Sequence, residues 1–144
     1  MRASSLVSAV VLGAALTGVL TACAAQDELP AFSQPQEERD RLPTDGTADV
    51  LDSVEEASTR FLWEDETGTT FYAARGTGTS DGYSCLVIFA GSEGHSACGG
   101  LPITVGLGGQ PEYMLSVTVG GDSDEWIEVA DNLYVASDAA EQGR

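Results

Sequence analysis

The chain has no lysine, and its six arginines stand against 23 acidic residues, so its formal net charge is −17. Nucleic acids and anionic lipid headgroups bind proteins through clusters of Lys and Arg. The missing positive charge therefore argues against nucleic acid as a partner and against attraction to an anionic membrane surface. Such acidity is typical of a surface that keeps a protein soluble and resists association.

A long apolar run is also missing, because the apolar stretch Leu6–Leu20 has only 15 residues. As a helix it would be about 22 Å long, which is short of the roughly 30 Å hydrocarbon core of a bilayer. It follows a start with one positive charge, Arg2, and is followed by small residues. This layout predicts a secretory signal peptide over residues 1–22, removed on export, rather than a membrane span.

The run closes on Leu20-Thr21-Ala22-Cys23, an apolar residue and two small residues before a cysteine. This tetrad resembles the lipobox of bacterial lipoproteins. The resemblance implies that Cys23 receives a diacylglycerol on its sulfur and becomes the first residue of the mature chain. Two acyl chains are enough for stable membrane attachment. The alternative is an ordinary signal peptide in which the cysteine stands by chance.

Two cysteines remain after Cys23, namely Cys85 and Cys98, and they flank twelve residues. Disulfides persist outside the reducing cytosol, so an exported chain predicts a Cys85–Cys98 bridge. Closing a loop of this size is worth about 3 kcal/mol in the chain-entropy model. The alternatives, two free thiols or half of a metal site, lack companion ligands because the chain has one histidine.

The first part of the mature chain divides into a tether and a helix. Residues 23–46 hold three prolines, many charges and few large apolar side chains, which predicts a disordered tether. Residues 47–58 begin with Thr47, a residue type that caps helices, and place an apolar stripe on one face. This stripe predicts a helix and consists of Val50, Leu51, Val54 and Ala57.

Short apolar segments separated by glycine-rich turns fill the rest, up to residue 136. The segment Tyr83–Phe89 is apolar on both faces and predicts a central, buried strand, whereas Gly99–Pro111 predicts mostly loop. These patterns predict one globular domain over 47–137 and a disordered tail over 138–144. The fold class is α+β, mainly antiparallel β, with the helix packed on a small sheet of five or six short strands.

Several short sequence features between residues 46 and 136 occur in an order that is shared with a group of other proteins. They are Arg60 after the helix, the aromatic strand Phe71-Tyr72-Ala73-Ala74, the strand start Cys85-Leu86-Val87, the second cysteine Cys98, and Asn132-Leu133-Tyr134-Val135. This order is similar to small secreted or lipid-anchored actinobacterial domains of unknown function. The family implies no catalytic residues.

One stretch, Ala90–Gly94, has the A-x-S-x-G pattern of a nucleophile elbow around Ser92. That motif requires a helix after the serine and a histidine far downstream. Here the sole histidine, His95, is three residues away, and nearby glycines break a helix. We expect Ser92 and His95 to lie in a flexible loop between the cysteines and to have no catalytic role.

The acidic segment 122–128 lacks the ligand spacing of an EF-hand and predicts a solvated turn, with calcium binding left open. The glycines at 76–78 and 106–109 lack the spacing of a dinucleotide-binding loop. The sequence therefore predicts no catalytic, metal-binding or cofactor-binding residues, and no cofactor.

The function expected from these patterns is that of a lipid-anchored lipoprotein on the extracytoplasmic face of the cell membrane. Its partners are the membrane, through the N-terminal anchor, and an unidentified protein or envelope component. A non-enzymatic interaction or envelope module is the first hypothesis. The alternative is a small enzyme that uses carboxylates on a cell-surface polymer, for which a shared cleft of perturbed carboxylates would be the signature.

Overall fold

Two antiparallel four-stranded sheets pack face to face in the computed structural model, which describes residues 28–45, 47–118 and 124–137. The first sheet is a meander in the order β1-β2-β3-β4, and the second has the order β5-β6-β8-β7. The strands are β1 Arg60–Glu64, β2 Thr70–Arg75, β3 Ser84–Ala90, β4 Glu93–Gly99, β5 Ile103–Gly106, β6 Glu112–Leu115, β7 Trp126–Ala130 and β8 Leu133–Ala136.

The larger core lies between the two sheets. The ring of Phe71 on β2 meets that of Tyr113 on β6, with centroids 4.5 Å apart. Leu86 of the first sheet and Leu115 and Leu133 of the second are buried in the same cluster. The hydrophobic effect therefore joins the two sheets into a β-sandwich-like fold.

A second, smaller core covers the outer face of the first sheet. Val50 and Val54 pack there against a cluster that includes Val87 and Phe89 of β3. Because both faces of β3 are covered, the strand can be apolar without alternation. This confirms the prediction that the segment is a central, buried strand.

The predicted α+β class with a helix over 47–58 is wrong. The helix is a single turn, Ala48–Leu51, after which Val54 forms an isolated antiparallel bridge with Gly76. Serine side chains here bind the backbone, since Ser53 Oγ donates to the Val50 carbonyl at 2.9 Å. Such bonds compete with helical ones, and a helix this short is marginal in any case. The antiparallel strands form two sheets of four, not one of five or six.

The segment predicted as a disordered tether over 23–46 has three buried side chains in its described part, namely Leu29, Phe32 and Asp40. We call residues 28–45 the N-terminal arm. Leu29 and Phe32 of the arm are 2% and 7% exposed and belong to the core between the sheets. The ordered unit therefore begins before residue 47, because two apolar side chains among the prolines find a place in the core.

The predicted disulfide is present, and its setting differs from the expected flexible loop. Cys85 of β3 and Cys98 of β4 are direct partners in the antiparallel register, with an S–S distance of 2.02 Å. The residues between them form a β-hairpin whose turn contains Gly91, which has a φ of 63°. Glycine adopts this backbone conformation readily. The segment Gly99–Pro111, predicted as mostly loop, contributes β5.

No helix within the described ranges is both long and apolar enough to cross a membrane. The signal peptide, Cys23 and the tail 138–144 lie outside those ranges.

Candidate functional site

A groove of about 510 Å³ lies where the N-terminal arm crosses the end of the sandwich. The start of β1 forms one wall, and the turn between β7 and β8 forms another. Its lining combines apolar, acidic and basic side chains, namely Pro30, Ala31, Gln34, Pro35, Glu37, Arg39, Asp40, Arg60, Phe61, Leu62, Asp131 and Asn132.

The turn at one wall is a two-residue connection, Asp131-Asn132, between Ala130 and Leu133. Asn132 has a φ of 68°, and asparagine is among the few residues that tolerate this left-handed conformation in tight hairpins. The sequence thereby places the exposed carboxylate of Asp131 beside the arm.

Asp40 is the buried acid of the groove, at 5% exposure. Its Oδ2 accepts a hydrogen bond from the Glu37 backbone N–H at 2.7 Å, and its Oδ1 accepts one from the Phe61 N–H at 2.9 Å. Both oxygens therefore serve the backbone and tie the arm to β1. Burial and these two bonds give Asp40 a structural role at the wall of the groove.

Arg60 is the buried cationic residue of the groove, at 8% exposure. Its guanidinium donates to backbone carbonyls, with Nη2 2.6 Å from the Gln34 oxygen and Nη1 2.8 Å from the Thr59 oxygen. Buried charges cost free energy unless they are hydrogen-bonded, and these carbonyl contacts supply that compensation. Arg60 thus holds the arm against β1, as Asp40 does.

Gln36 and Thr59 complete the polar contacts beneath the arm. Gln36 Nε2 donates to the Glu56 carbonyl and to Thr59 Oγ1, both at 2.8 Å. Thr59 Oγ1 in turn donates to the Asp40 carbonyl at 2.6 Å. Every one of these bonds joins the arm to residues about twenty positions away, so the wall of the groove is built by tertiary contacts.

The accessible charges of the groove are mixed. Glu37 and Arg39 form an exposed ion pair at 3.4 Å, and Asp131, which also lines the groove, is exposed. Within the three described ranges, no three His, Cys, Asp or Glu side chains come together as a metal site. The arrangement is suited to binding polar and apolar groups of a partner in an open groove.

The candidate nucleophile, the histidine, the disulfide and the acidic segment lie apart from this groove, whereas Arg60 and Asn132, which belong to the family resemblance, line it. Ser92 is exposed in the β3–β4 turn, and His95 is exposed on edge strand β4 opposite Ile88. The Cys85–Cys98 bridge faces the one-turn helix segment, where Cys98 Sγ lies 3.9 Å from the Ser53 carbonyl. In the acidic segment, Asp122 lies outside the described ranges, while Asp124 and Glu125 are exposed.

Sequence reasoning missed the groove because seven of its twelve lining residues stand in a segment predicted to be disordered, and the other five are distant from it in sequence. One local signal was available, since Glu37 and Asp40 have the three-residue spacing of a helix-capping pair. Leu29 and Phe32, three positions apart among prolines, were a second signal that the segment packs on the domain.

Asp65 lies in the β1–β2 turn, at the opposite end of the first sheet from the groove. Among the carboxyl groups of the described residues, it is the one whose pKa clearly departs from its usual value. Partial burial raises its pKa, but hydrogen bonds from Thr67 and Thr69 outweigh that effect and hold the pKa below its usual value. Its Oδ1 accepts both the Thr67 N–H and the Thr69 N–H at 2.8 Å. The ionised carboxylate therefore stabilises the turn.

No protein-family model, curated protein or solved structure matches this chain.

Proposed function

We propose that the protein is a lipid-anchored lipoprotein of the extracytoplasmic membrane face that acts as a non-enzymatic interaction or envelope module. The observation that carries the proposal is the Leu20–Cys23 tetrad at the end of a charged start and a short apolar run. The three features agree in position, as a lipoprotein signal requires.

The cysteines support export independently of the signal. The Cys85–Cys98 disulfide joins two adjacent strands of the first sheet. Structural disulfides persist in oxidising compartments and are rare in the cytosol. The chain then leaves one cysteine, Cys23, for the anchor.

The groove supports a binding role over a catalytic one. Its two buried charged residues, Asp40 and Arg60, both form hydrogen bonds with backbone groups. The remaining acids that line it, Glu37 and Asp131, are exposed to solvent rather than enclosed beside a bound group.

Metabolic labelling with an alkyne fatty acid in a bacterial host tests the anchor. We expect the wild type to be labelled and to sediment with membranes, and Cys23→Ser to lose both properties. Ala25→Ser, two residues beyond the cysteine, is the matched control and should be labelled as the wild type. Persistent labelling of Cys23→Ser would overturn the proposal.

The enzyme alternative is tested by digesting isolated cell-wall polymer with the wild type and with the double variant Glu37→Gln, Asp131→Asn. We expect no soluble fragments from either protein. Fragments released by the wild type and lost in the double variant would replace the module with an enzyme.

A further inference from the structure

The N-terminal arm is attached to one particular end of the sandwich. Glu28, its first described residue, forms an ion pair with Arg75, the last residue of β2. The Arg75 guanidinium also lies over the Phe32 ring, 4.8 Å from the centroid, which adds a cation–π contact. The arm therefore enters the domain where β2 ends.

This attachment shortens the link between the anchor and the domain. A free tether over 23–46 would reach about 80 Å when stretched, whereas the five residues from Cys23 to Glu28 span at most about 17 Å. If Cys23 carries the lipid, as proposed above, the end of the sandwich that holds Glu28 stays close to the headgroups.

Chain topology shows which surface lies at that end. The β2–β3 loop, residues 76–83, follows Arg75 directly and is closed by a hydrogen bond from the Gly76 N–H to the Tyr83 carbonyl at 2.9 Å. The β1–β2 turn and the β3–β4 turn lie at the opposite end, because all four strands are antiparallel.

The chemistry of the loop suits a lipid headgroup region. Tyr83 is 48% exposed, and tyrosine favours the membrane–water interface because it has an apolar ring and a polar hydroxyl. The loop Gly-Thr-Gly-Thr-Ser-Asp-Gly-Tyr carries a single carboxylate, Asp81, in a chain with 23 acidic residues. The neighbouring segment 52–56, whose backbone is hydrogen-bonded to Arg75 and Thr77, adds three exposed carboxylates, so the loop suits zwitterionic rather than anionic headgroups.

We infer that the 76–83 loop, with Tyr83 at its edge, rests on the headgroups of the membrane that holds the anchor. The inference depends on the proposed lipidation of Cys23. It gives the domain a fixed orientation, with the β2–β3 loop toward the membrane and the β1–β2 and β3–β4 turns away from it.

Paramagnetic relaxation measures this orientation directly. The ¹⁵N-labelled lipidated protein is placed in phosphatidylcholine nanodiscs that contain a lipid with a nitroxide on its headgroup. We expect relaxation enhancement at least about fivefold larger for amides of 76–83 than for those of 65–68, since six-residue strands separate the two turns by roughly 20 Å. Equal enhancement at both ends, or a larger effect at 65–68, would overturn the inference.

Two matched variants test the role of Tyr83. Tyr83→Ser removes the exposed ring and should reduce the enhancement at the loop about twofold, because a ring with a polar tip anchors at the interface. Ile127→Ser removes a comparably exposed side chain, 40% exposed, on β7 of the second sheet and should change nothing. An unchanged loop signal in Tyr83→Ser would refute the contact.

A second sample separates this inference from the proposed lipidation. The mature chain 23–144 is joined through the Cys23 thiol to maleimide-bearing phosphatidylethanolamine, which reproduces the five-residue link. A loop that faces the membrane in this sample upholds the orientation even if the cell leaves Cys23 unmodified. A loop that faces away refutes it even if metabolic labelling succeeds.

Discussion

At the scale of single residues, Asp40 connects the N-terminal arm to the first sheet. Its carboxylate accepts two backbone N–H groups, and its carbonyl accepts the Thr59 hydroxyl. The Thr59 bond is buried and the two N–H bonds are partly buried, so each lost bond leaves a polar atom less well satisfied.

We predict that Asp40→Ala lowers the free energy of unfolding by about 1–3 kcal/mol, since two partly buried N–H groups lose their acceptor. Urea denaturation followed by circular dichroism measures the change. Glu38→Ala, an exposed neighbour, should stay within about 0.5 kcal/mol of the wild type. An equally small effect for Asp40→Ala would show that the arm is detached in solution.

Asp65 leads to a prediction about how the stability of the fold depends on pH. Because its folded pKa lies below the ordinary value near 3.8, its ionised form stabilises the fold above that pH, and the stabilisation is lost as pH falls through the folded pKa. Asp65→Asn should therefore be less stable than the wild type near pH 7, with the difference shrinking near pH 2. Glu66→Gln, exposed in the same turn, is the control. A difference that stays constant with pH would contradict the predicted role.

At the scale of elements, the arm behaves as part of the core. Leu29 is 2% exposed, and replacing a buried Leu by Ala costs about 2–5 kcal/mol. We predict a loss of this size for Leu29→Ala, together with faster proteolysis within residues 28–45. Pro30→Ala, exposed beside it, should have little effect. Unchanged proteolysis in Leu29→Ala would mean that other contacts alone hold the arm.

The β3–β4 hairpin gives a second prediction at this scale. The double variant Cys85→Ala, Cys98→Ala should lose about 3 kcal/mol of unfolding free energy, because the crosslink restricts the unfolded chain. Adding a reductant should lower the stability of the wild type to a similar level and leave the double variant unchanged. Two alkylatable thiols in the unreduced exported protein would contradict the bridge.

At the scale of the whole molecule, charge repulsion opposes the compact state. The formal charge is −17, and the described residues contain two ion pairs, Glu37–Arg39 and Glu28–Arg75. Salt screens many repulsive interactions here and few attractive ones. We predict that the melting temperature rises as sodium chloride is added, in a calorimetric series at constant pH. A falling melting temperature would show that the ion pairs outweigh the repulsion.

A part of the fold could be predicted from the sequence when residues close together in the chain determine it. The buried strand predicted over Tyr83–Phe89, which forms β3 from Ser84 onward, was predictable because an apolar run between turns is typical of a covered strand. The disulfide was predictable because two cysteines in an exported chain normally pair. The prediction of a helix over 47–58 was wrong, and Leu29, Phe32 and Asp40, in the segment predicted as a tether, are buried. Both segments are decided by partners distant in sequence, such as Gly76 for Val54.

The candidate groove was beyond sequence reasoning for the same reason. Asp40, Arg60 and Asp131 are separated by long stretches of chain and meet only when the arm crosses the end of the sandwich. Lipidation at Cys23 is different, because its signal is contained in four consecutive residues, and it remains a prediction.

Local patterns and simple counting were enough to establish the strand-rich character of the chain, the pairing of its two internal cysteines and its strong negative charge. Only the tertiary structure showed that the strands divide into two sheets and that Leu29 and Phe32 of the arm pack in the core. Local helical preference over 47–58 is marginal, whereas burial of Val54 and Leu29 and hydrogen bonds to distant backbone are together worth roughly several kcal/mol, so the long-range contacts prevail.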